Sequence, residues 1–407
     1  MSGETVHHPA MGVEEAARVF TDPSAYADEP RFHAACGLLR RERPVARVDV
    51  DGFPPFYALT THADVLDVAK QPELWHNTTV PAIAPRPAGA EPPETPIRAL
   101  VQMDPPEHAA YRQISADWFR PKAIGRLEPR VNELATRFVD RMADLGGECD
   151  FVMDVAVHYP LYVILSLLGL PEEDFPRMLR LTQELFGSSD QELQRDDGDF
   201  MATMMEFFEY FQGLIEDRRA HPRDDLASVI ANAVVDGEQI GLLEVVGYYV
   251  LIATAGHDTT SAAIAGGLHA LLEHPEQLDR LRADPGLVPT AVDEMIRWVS
   301  PVKQFTRTAQ ADTSVHGVPI TAGETVLLSY PSANRDETVF DRADRFDVGR
   351  FPNRHLGFGF GAHYCLGTHL AKLEGQALYR ELVPRLSWIE SAGEAQYMQT
   401  KIGRAHV

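Results

Sequence analysis

The segment Phe358-Gly359-Phe360-Gly361-Ala362-His363-Tyr364-Cys365-Leu366-Gly367 constrains this chain more than any other. A glycine-punctuated loop delivers one cysteine to the start of a helical pattern that runs from Leu366 to about Leu382. Glycines let a backbone fold closely around a sulfur and approach a flat macrocycle, and a bound thiolate needs nearby N–H donors. The positive end of a helix dipole favours the ionised thiol. An unperturbed thiol, with pKa about 8.5, is mostly protonated at neutral pH. Such a frame therefore reads as the ligand environment of a haem iron. Three other readings compete with it. A free cysteine is commonly a small buried core residue. His363, Cys365 and His369 suggest zinc, but structural zinc sites take four ligands and there is no second cysteine pair. Gly357, Gly359 and Ala362 loosely match a dinucleotide fingerprint, yet no strand precedes them and no βαβ unit follows.

The segment resembles the cysteine-ligand signature of the cytochrome P450 family, Phe-Gly-x-Gly-x-[His/Arg]-x-Cys-x-Gly, with every fixed position filled. The resemblance implies haem b on an axial Cys365 thiolate, within a cradle that includes Phe358, Gly359 and Gly367. A second match lies inside the apolar helical stretch 248–265, at Ala255-Gly256-His257-Asp258-Thr259-Thr260. Polar groups inside a buried helix require a reason. This hexapeptide resembles the family's oxygen-activation motif. Small Ala255 and Gly256 leave room beside the helix, and the Thr259 hydroxyl can bond a carbonyl one turn earlier. Asp258 points about 100° away around the helix. It can link to outside water, so that Asp258 and Thr259 form a catalytic proton relay. The bland alternative is that Asp258 pairs with a neighbouring cation and Thr259 satisfies its own backbone. His257 occupies the variable position and is given no role.

Glu294 and Arg297 stand three residues apart on one helical face amid apolar neighbours. They match the family's Glu-x-x-Arg, with Arg350 as third member, and are expected to form a structural, non-catalytic triad. Haem b carries two propionates, for which the resemblance offers His108 and Arg112, one turn apart, together with Arg307 and His363. The bland alternative for Arg307 is an ordinary surface charge. By family position, Leu251, Ala255, Val302, Phe305 and the segment around Leu185 line the substrate pocket. The stretches 300–309, 328–337 and 351–359 look most like the bacterial α-terpineol-hydroxylating subgroup, which implies a small apolar, terpenoid-like substrate.

Helical periodicity is predicted near 31–42, 61–70, 106–118, 127–144, 153–169, 198–219, 240–270, 287–299 and 366–382. Strands are predicted near 46–50, 55–60, 304–309 and 324–329. The expected fold is mainly α with small β-sheets, a single large domain over 1–407. Residues 1–30 read as an N-terminal arm. The proline-rich stretch 71–106 cannot be one helix and reads as a lid over the pocket.

A net charge of −23 over 407 residues argues against nucleic acid or an anionic membrane surface as partner. Three scattered cysteines give no disulfide framework. The first ten residues lack the basic start and apolar run of a signal peptide or anchor, so a cytoplasmic protein is expected. A monomer is expected as well. The resemblance implies monooxygenation with O2 as co-substrate. Electrons would come from a separate ferredoxin and its NAD(P)H-dependent ferredoxin reductase, docking near Arg120, Lys122 and Lys372. Those three could equally be solvated surface charges. Family chains normally finish with a β-hairpin, whereas residues 401–407 back-translate into a common sequencing adapter and are expected to be a non-native tail. Three rivals stay open: a peroxide-driven peroxygenase, a non-catalytic haem-binding gas sensor, and an inactive fragment.

Overall fold

Apolar residues at three- and four-residue spacing become buried helix faces. Helix Glu128–Asp144 turns Val131, Leu134, Ala135, Phe138 and Val139 inward. The 32-residue helix Leu242–Glu273 is buried on nearly every side, as expected of a helix that is apolar all round. The computed structural model describes residues 11–77, 81–86, 90, 99–186, 200–393, 395–397 and 405–406.

The central helix lies among helices Tyr159–Leu168, Phe200–Ala220, Val288–Val299 and Thr368–Arg385. Glycines set how closely these pack. A Cβ at Gly256 would stand 2.9 Å from Ile164, and one at Gly267 would stand 2.8 Å from both Met295 and the Tyr379 hydroxyl. Tyr379 donates that hydroxyl to the Ile264 carbonyl at 2.6 Å, which ties the helix following the cysteine to the central one.

Five strands form one sheet in the order Val45–Val48, Phe56–Leu59, Thr325–Ser329, Gln304–Ala309, Trp75–His76. The pairing of Phe56–Leu59 with Thr325–Ser329 is parallel and the others antiparallel. Arg307 stands opposite Val326 in this ladder, so its position is fixed by register. The fold is mainly α with small sheets, as the sequence pattern predicts.

Several expectations need correction. The helix predicted near 153–169 is divided into a π-helical turn, Val152–Ala156, and a helix from Tyr159. Pro160 supplies no N–H to a continuous ladder and sits in the first turn of the second piece, where none is needed. The N-terminal arm is not an arm from Val13 onward. Short helices Val13–Ala17 and Pro23–Ala27, with the 3-10 turn Arg18–Phe20 between them, bury Ala16, Phe20 and Tyr26 in one cluster with Phe32, the Phe20 and Phe32 rings being 5.9 Å apart and nearly perpendicular. Helices Phe175–Phe186, Leu226–Ala231 and Pro275–Ala283 are additional to those predicted. Much of the lid, at 78–80, 87–89 and 91–98, lies outside the described residues, as do 1–10, 401–404 and 407. The remainder of the lid is tied to the sheet. Trp75 pairs with Ala309, and the Thr306 N–H donates to the Pro81 carbonyl at 2.9 Å. At the other end, Gln396–Tyr397 pairs antiparallel with Ala405–His406.

One buried group carries a stability prediction. Glu374 is 1% exposed on the helix Thr368–Arg385, and its Oε2 has no hydrogen-bonding partner among the described residues. Burial pushes its carboxyl well above the usual 4.5. A raised folded-state value means that the folded chain keeps a proton the unfolded chain has released. Stability is full below about pH 4.5 and drains as pH rises toward the folded value, by up to about 1.4 kcal/mol per pH unit. Glu374→Gln is therefore expected to raise the denaturation midpoint at pH 7–8 and to leave it unchanged near pH 4.5. Midpoints that track the parent at both pH values would show Glu374 to be ionised in the fold.

Candidate functional site

The cysteine loop is closed by its own backbone. The Cys365 N–H donates to the Phe358 carbonyl at 2.9 Å, and Gly359 and Gly361 take left-handed φ of 67° and 74°. At Gly361 the reason is close approach, since a Cβ there would collide with the Ala69 carbonyl. The following helix begins at Thr368, two residues later than the sequence pattern predicts, and Thr368 donates its hydroxyl to the Cys365 carbonyl at 2.8 Å. Cys365 is accessible to solvent yet ringed by protein. Burial pushes its thiol up, while the Gly367 N–H, the Thr368 hydroxyl and Arg112 pull it back. Gly367 lies so near that a Cβ would stand 4.0 Å from the sulfur. Phe358 is half-buried, with the Lys372 ammonium 5.7 Å from its ring.

Four basic side chains gather beside this loop. His108 and Arg112 share the helix Glu107–Ala116, and Arg112 donates to the Tyr364 carbonyl at 2.6 Å. The His108 and His363 rings lie 4.0 Å apart. Burial, then Arg112 and Arg307, pushes His108 down to about 4. Burial, then His108, Arg307 and Arg112, pushes His363 still further down. Arg307 is 6% exposed and donates to the Thr306 carbonyl at 2.7 Å. A bland surface role for Arg307 is thereby ruled out. None of the four forms an ion pair with a carboxylate among the described residues, and the buried His108 Nε2 lacks a partner there. Two guanidinium groups and two buried imidazoles able to donate N–H bonds, collected in a low-dielectric place, suit a dianionic ligand. Two propionates beside a thiolate-held iron are chemically matched to this set. Among the described residues no three His, Cys, Asp or Glu side chains gather as ligands of a bare metal ion.

Sequence reasoning missed two contributors here. Asn77 hydrogen-bonds the His363 ring and donates its own N–H to Asp104 at 2.7 Å. Tyr248 donates to the Tyr111 carbonyl at 2.9 Å and meets the Ser115 hydroxyl at 2.7 Å, joining the central helix to the Arg112 helix. Neither belongs to a motif of this chemistry, since Asn77-Thr78-Thr79 reads only as a glycosylation sequon, so no sequence pattern marks them for this role.

Along the central helix, Leu251, Ala255 and Thr259 follow at four-residue spacing and remain accessible, whereas Thr254, His257, Asp258 and Thr260 are buried. Thr259 donates its hydroxyl to the Ala255 carbonyl at 2.9 Å. Asp258 departs from expectation. It is only 2% exposed rather than open to outside water, and its Oδ1 lies 3.6 Å from Nδ1 of the fully buried His257. The cause is the packing of this helix against the segment before Tyr159, where His257 Nε2 lies 2.7 Å from the Val157 carbonyl.

Glu294, Arg297 and Arg350 meet in one buried cluster. Arg297 donates to both carboxylate oxygens at 2.7 Å, and Arg350 Nε lies 3.0 and 3.1 Å from them. The spare guanidinium N–H groups reach the Asn334, Ala343, Arg345, Asp341 and Arg342 carbonyls. The cluster thus stitches the segment that leads to the cysteine loop.

Val302 and Phe305 are half-buried against the sheet, with the Phe305 ring 6.1 Å from Tyr330. The Leu185 side chain lies outside the described residues. The expected basic patch is weaker than its sequence suggests. Arg120 pairs with Asp117 at 3.0 Å and Lys372 with Asp293 at 2.7 Å. The same region instead exposes apolar surface at Phe351, Phe360 and Tyr364.

Comparison with known proteins adds to this geometry. The family model for cytochrome P450 matches residues 84–285 and 286–402. The chain is 44% identical over 405 residues to cytochrome P450-terp of a Pseudomonas species, covering 95% of this chain and 94% of that protein. It is 37% identical over 368 residues to the steroid C26-monooxygenase of Mycobacterium tuberculosis, covering 90% and 88%. Among solved structures, CYP108D1 from Novosphingobium aromaticivorans superposes with a TM-score of 0.88 at 38% identity over 98% of both chains. The Mycobacterium marinum cytochrome P450 CYP268A2 in complex with pseudoionone gives 0.87 at 31% identity, over 99% of this chain and 98% of that one.

Proposed function

Because the chain belongs to the cytochrome P450 family, we propose that it is a monooxygenase hydroxylating a small apolar terpenoid, with Cys365 as its haem ligand. The family binds haem b through a cysteine thiolate and takes O2 as co-substrate. When bound, the haem activates dioxygen: with two electrons and two protons, one oxygen atom enters a C–H bond and the other leaves as water.

The chain's own residues bind, orient and supply protons. Cys365 provides a thiolate, whose electron donation its Gly367 and Thr368 donors temper. His108, Arg112, Arg307 and His363 would hold the two haem carboxylates, and this set of two guanidinium and two imidazole donors beside the cysteine, with no carboxylate partner among the described residues, is the observation that carries the reading. Thr259 stands on the accessible strip of the central helix with the buried Asp258 beside it in sequence, and the two hand protons toward the oxygen site. Leu251, Ala255, Val302 and Phe305 form an apolar lining. The terpenoid class rests on the name of the 44% identical relative and on the terpenoid-like ketone held by one structural neighbour.

No described helix is long and apolar enough to cross a membrane. A cytoplasmic, monomeric enzyme of one domain fed by a ferredoxin and its NAD(P)H-dependent reductase completes the reading. The ferredoxin docks on the exposed apolar Phe360 and Tyr364 of the cysteine loop, where the Lys70 ammonium lies 5.6 Å from the Phe360 ring.

The test is the reduced carbon monoxide difference spectrum followed by titration with α-terpineol. A strongly red-shifted Soret band and a substrate-induced spin shift support the reading. A neutral-ligand band would overturn the haem-thiolate assignment, and a thiolate band with no terpenoid response would overturn the substrate class alone. Arg307→Leu is expected to release haem to an apoprotein acceptor roughly ten- to a hundredfold faster, matching the ~1.5–3 kcal/mol of a hydrogen bond to a charged group. An unchanged transfer rate would remove Arg307 from the carboxylate set.

A further inference from the structure

The helix Glu29–Glu42, the end of Val288–Val299 and the segment 335–344 border a cleft of about 960 Å³. None of the residues assigned above to the haem, the proton relay or the substrate lining lies on its wall. Trp298 and Phe340 give the cleft apolar surface, and Arg335 stands beside them. The Arg335 guanidinium lies 3.7 Å from the centre of the Trp298 ring, a stack that fixes its plane. Its Nη1 donates to the Trp298 carbonyl at 3.2 Å. Among the described residues it makes no other side-chain hydrogen bond and no ion pair with a carboxylate, although it is only 7% exposed. Burial, then Arg297, pushes it down to about 9.

The surroundings add positive charge instead of removing it. Lys303, whose charge acts on Arg335, is 8% exposed and donates its ammonium to the Val299 carbonyl at 2.8 Å, again with no carboxylate partner among the described residues. His33 lines the cleft with a buried Nδ1 that lacks a partner there. Burial, then Arg335, Lys303 and Arg40, keeps its ring neutral. Most other rim charges cancel: Arg40 pairs with Glu337 at 3.0 Å, Arg342 with Asp341 at 3.1 Å and His269 with Glu273 at 3.6 Å. Arg41 and Asp344 add one exposed charge of each sign. Glu29 is felt by both Arg335 and Lys303 but ion-pairs with neither. A buried cation without a counter-ion is costly, and an indole face does not neutralise it.

We propose that this cleft is a second ligand site, which takes the carboxylate or phosphate of a small organic anion on the free edge of Arg335 and on His33, with the ligand's apolar body beside Trp298 and Phe340. The planar guanidinium offers two parallel N–H groups, the geometry that grips an oxyanion. Its stack holds it ready, so little order is lost on binding. A neutral imidazole has one N–H to give, and the Lys303 charge strengthens the pull from within. Glu29 is the ligand's rival for the same positive charge. The site is independent of the monooxygenase reading.

The test is calorimetric titration of the haem-loaded protein at constant ionic strength with two probes, benzoate and phenyl phosphate. At least one is expected to bind with a Kd of about 1 mM or below, the strength of two hydrogen bonds to charged groups. The tighter of the two names the headgroup class. Arg335→Gln is expected to weaken that binding by about tenfold or more, and Glu29→Gln to tighten it by about threefold. The Soret band should stay unmoved throughout the titration, since neither the cysteine loop nor the accessible strip of the central helix lines the cleft. Failure of both probes to bind at 10 mM, roughly tenfold above the expected Kd, would overturn the proposal. So would a Soret shift that tracks the titration, which places the anion at the haem, or binding that both variants leave unchanged. Because Arg335 also packs on Trp298, its variant is judged only if it keeps the carbon monoxide band. Without that band Glu29→Gln decides alone, tighter binding supporting the site and parent affinity overturning it.

Discussion

Replacing Cys365 with serine is expected to abolish the red-shifted carbon monoxide band and to lower hydroxylation by about a thousandfold or more, ~4 kcal/mol in barrier. The reasoning separates the ligand from its frame. The loop is held by the Cys365 N–H on the Phe358 carbonyl, by Thr368 on the Cys365 carbonyl and by two left-handed glycines. Serine leaves all of these in place. It removes only a polarisable sulfur whose ionised form donates electron density to iron. The variant should therefore fold, as read by circular dichroism, and lose chemistry rather than structure. A Cys365→Ser protein that kept both the band and the activity would place the axial ligand elsewhere. One that failed to fold would show that the loop depends on the sulfur itself. Neither outcome is expected, since the sulfur is accessible rather than packed into the core.

What the sequence makes legible follows from how local each determinant is. The cysteine loop is legible because glycine spacing and ligand chemistry are written within ten residues. The Thr259 bond to the Ala255 carbonyl is legible because it spans one helical turn. The five-stranded sheet is legible only in part. Its short Trp75–His76 strand owes its identity to Ala309 and Thr308, more than 200 positions on, and not to its own two residues. Asp258 was misjudged in the same way. Helical geometry turns it away from Thr259, but only tertiary packing decides whether that direction holds water or His257. Asn77 and Tyr248 act through single long-range hydrogen bonds, for which no spacing rule exists. Even the basic patch shows the limit. Asp117 stands three residues before Arg120 and is visible to a count along the chain, but Asp293, which pairs with Lys372 at 2.7 Å, is brought there only by the fold.

Glu294→Ala is expected to be the most damaging substitution away from the haem, costing about 3–5 kcal/mol. Such a loss takes a fifth or more of the roughly 5–15 kcal/mol that holds a typical fold. The carboxylate is fully buried, as is Arg297, and Arg350 is 9% exposed. Beyond the two guanidinium groups it accepts from the Asp347 N–H at 2.9 Å and the Asn353 amide at 3.2 Å. Alanine leaves two buried cations facing each other with nothing between them. Arg297 and Arg350 also carry the carbonyls of the 334–345 segment, so their disorder would loosen the chain that leads to Cys365. Denaturant unfolding followed by circular dichroism measures the loss, and the carbon monoxide band should decline at lower denaturant than in the parent. A cost within about 1 kcal/mol would mean that the cluster contributes little. Glu374 supplies the control within the same molecule. Both glutamates are at most 1% exposed, but Glu294 is met by donors on both oxygens whereas Oε2 of Glu374 meets none among the described residues. Removing the charge should therefore destabilise at 294 and stabilise at 374 near neutral pH. Opposite signs at equal burial would show that partners, and not depth, decide what a buried carboxylate does to this fold.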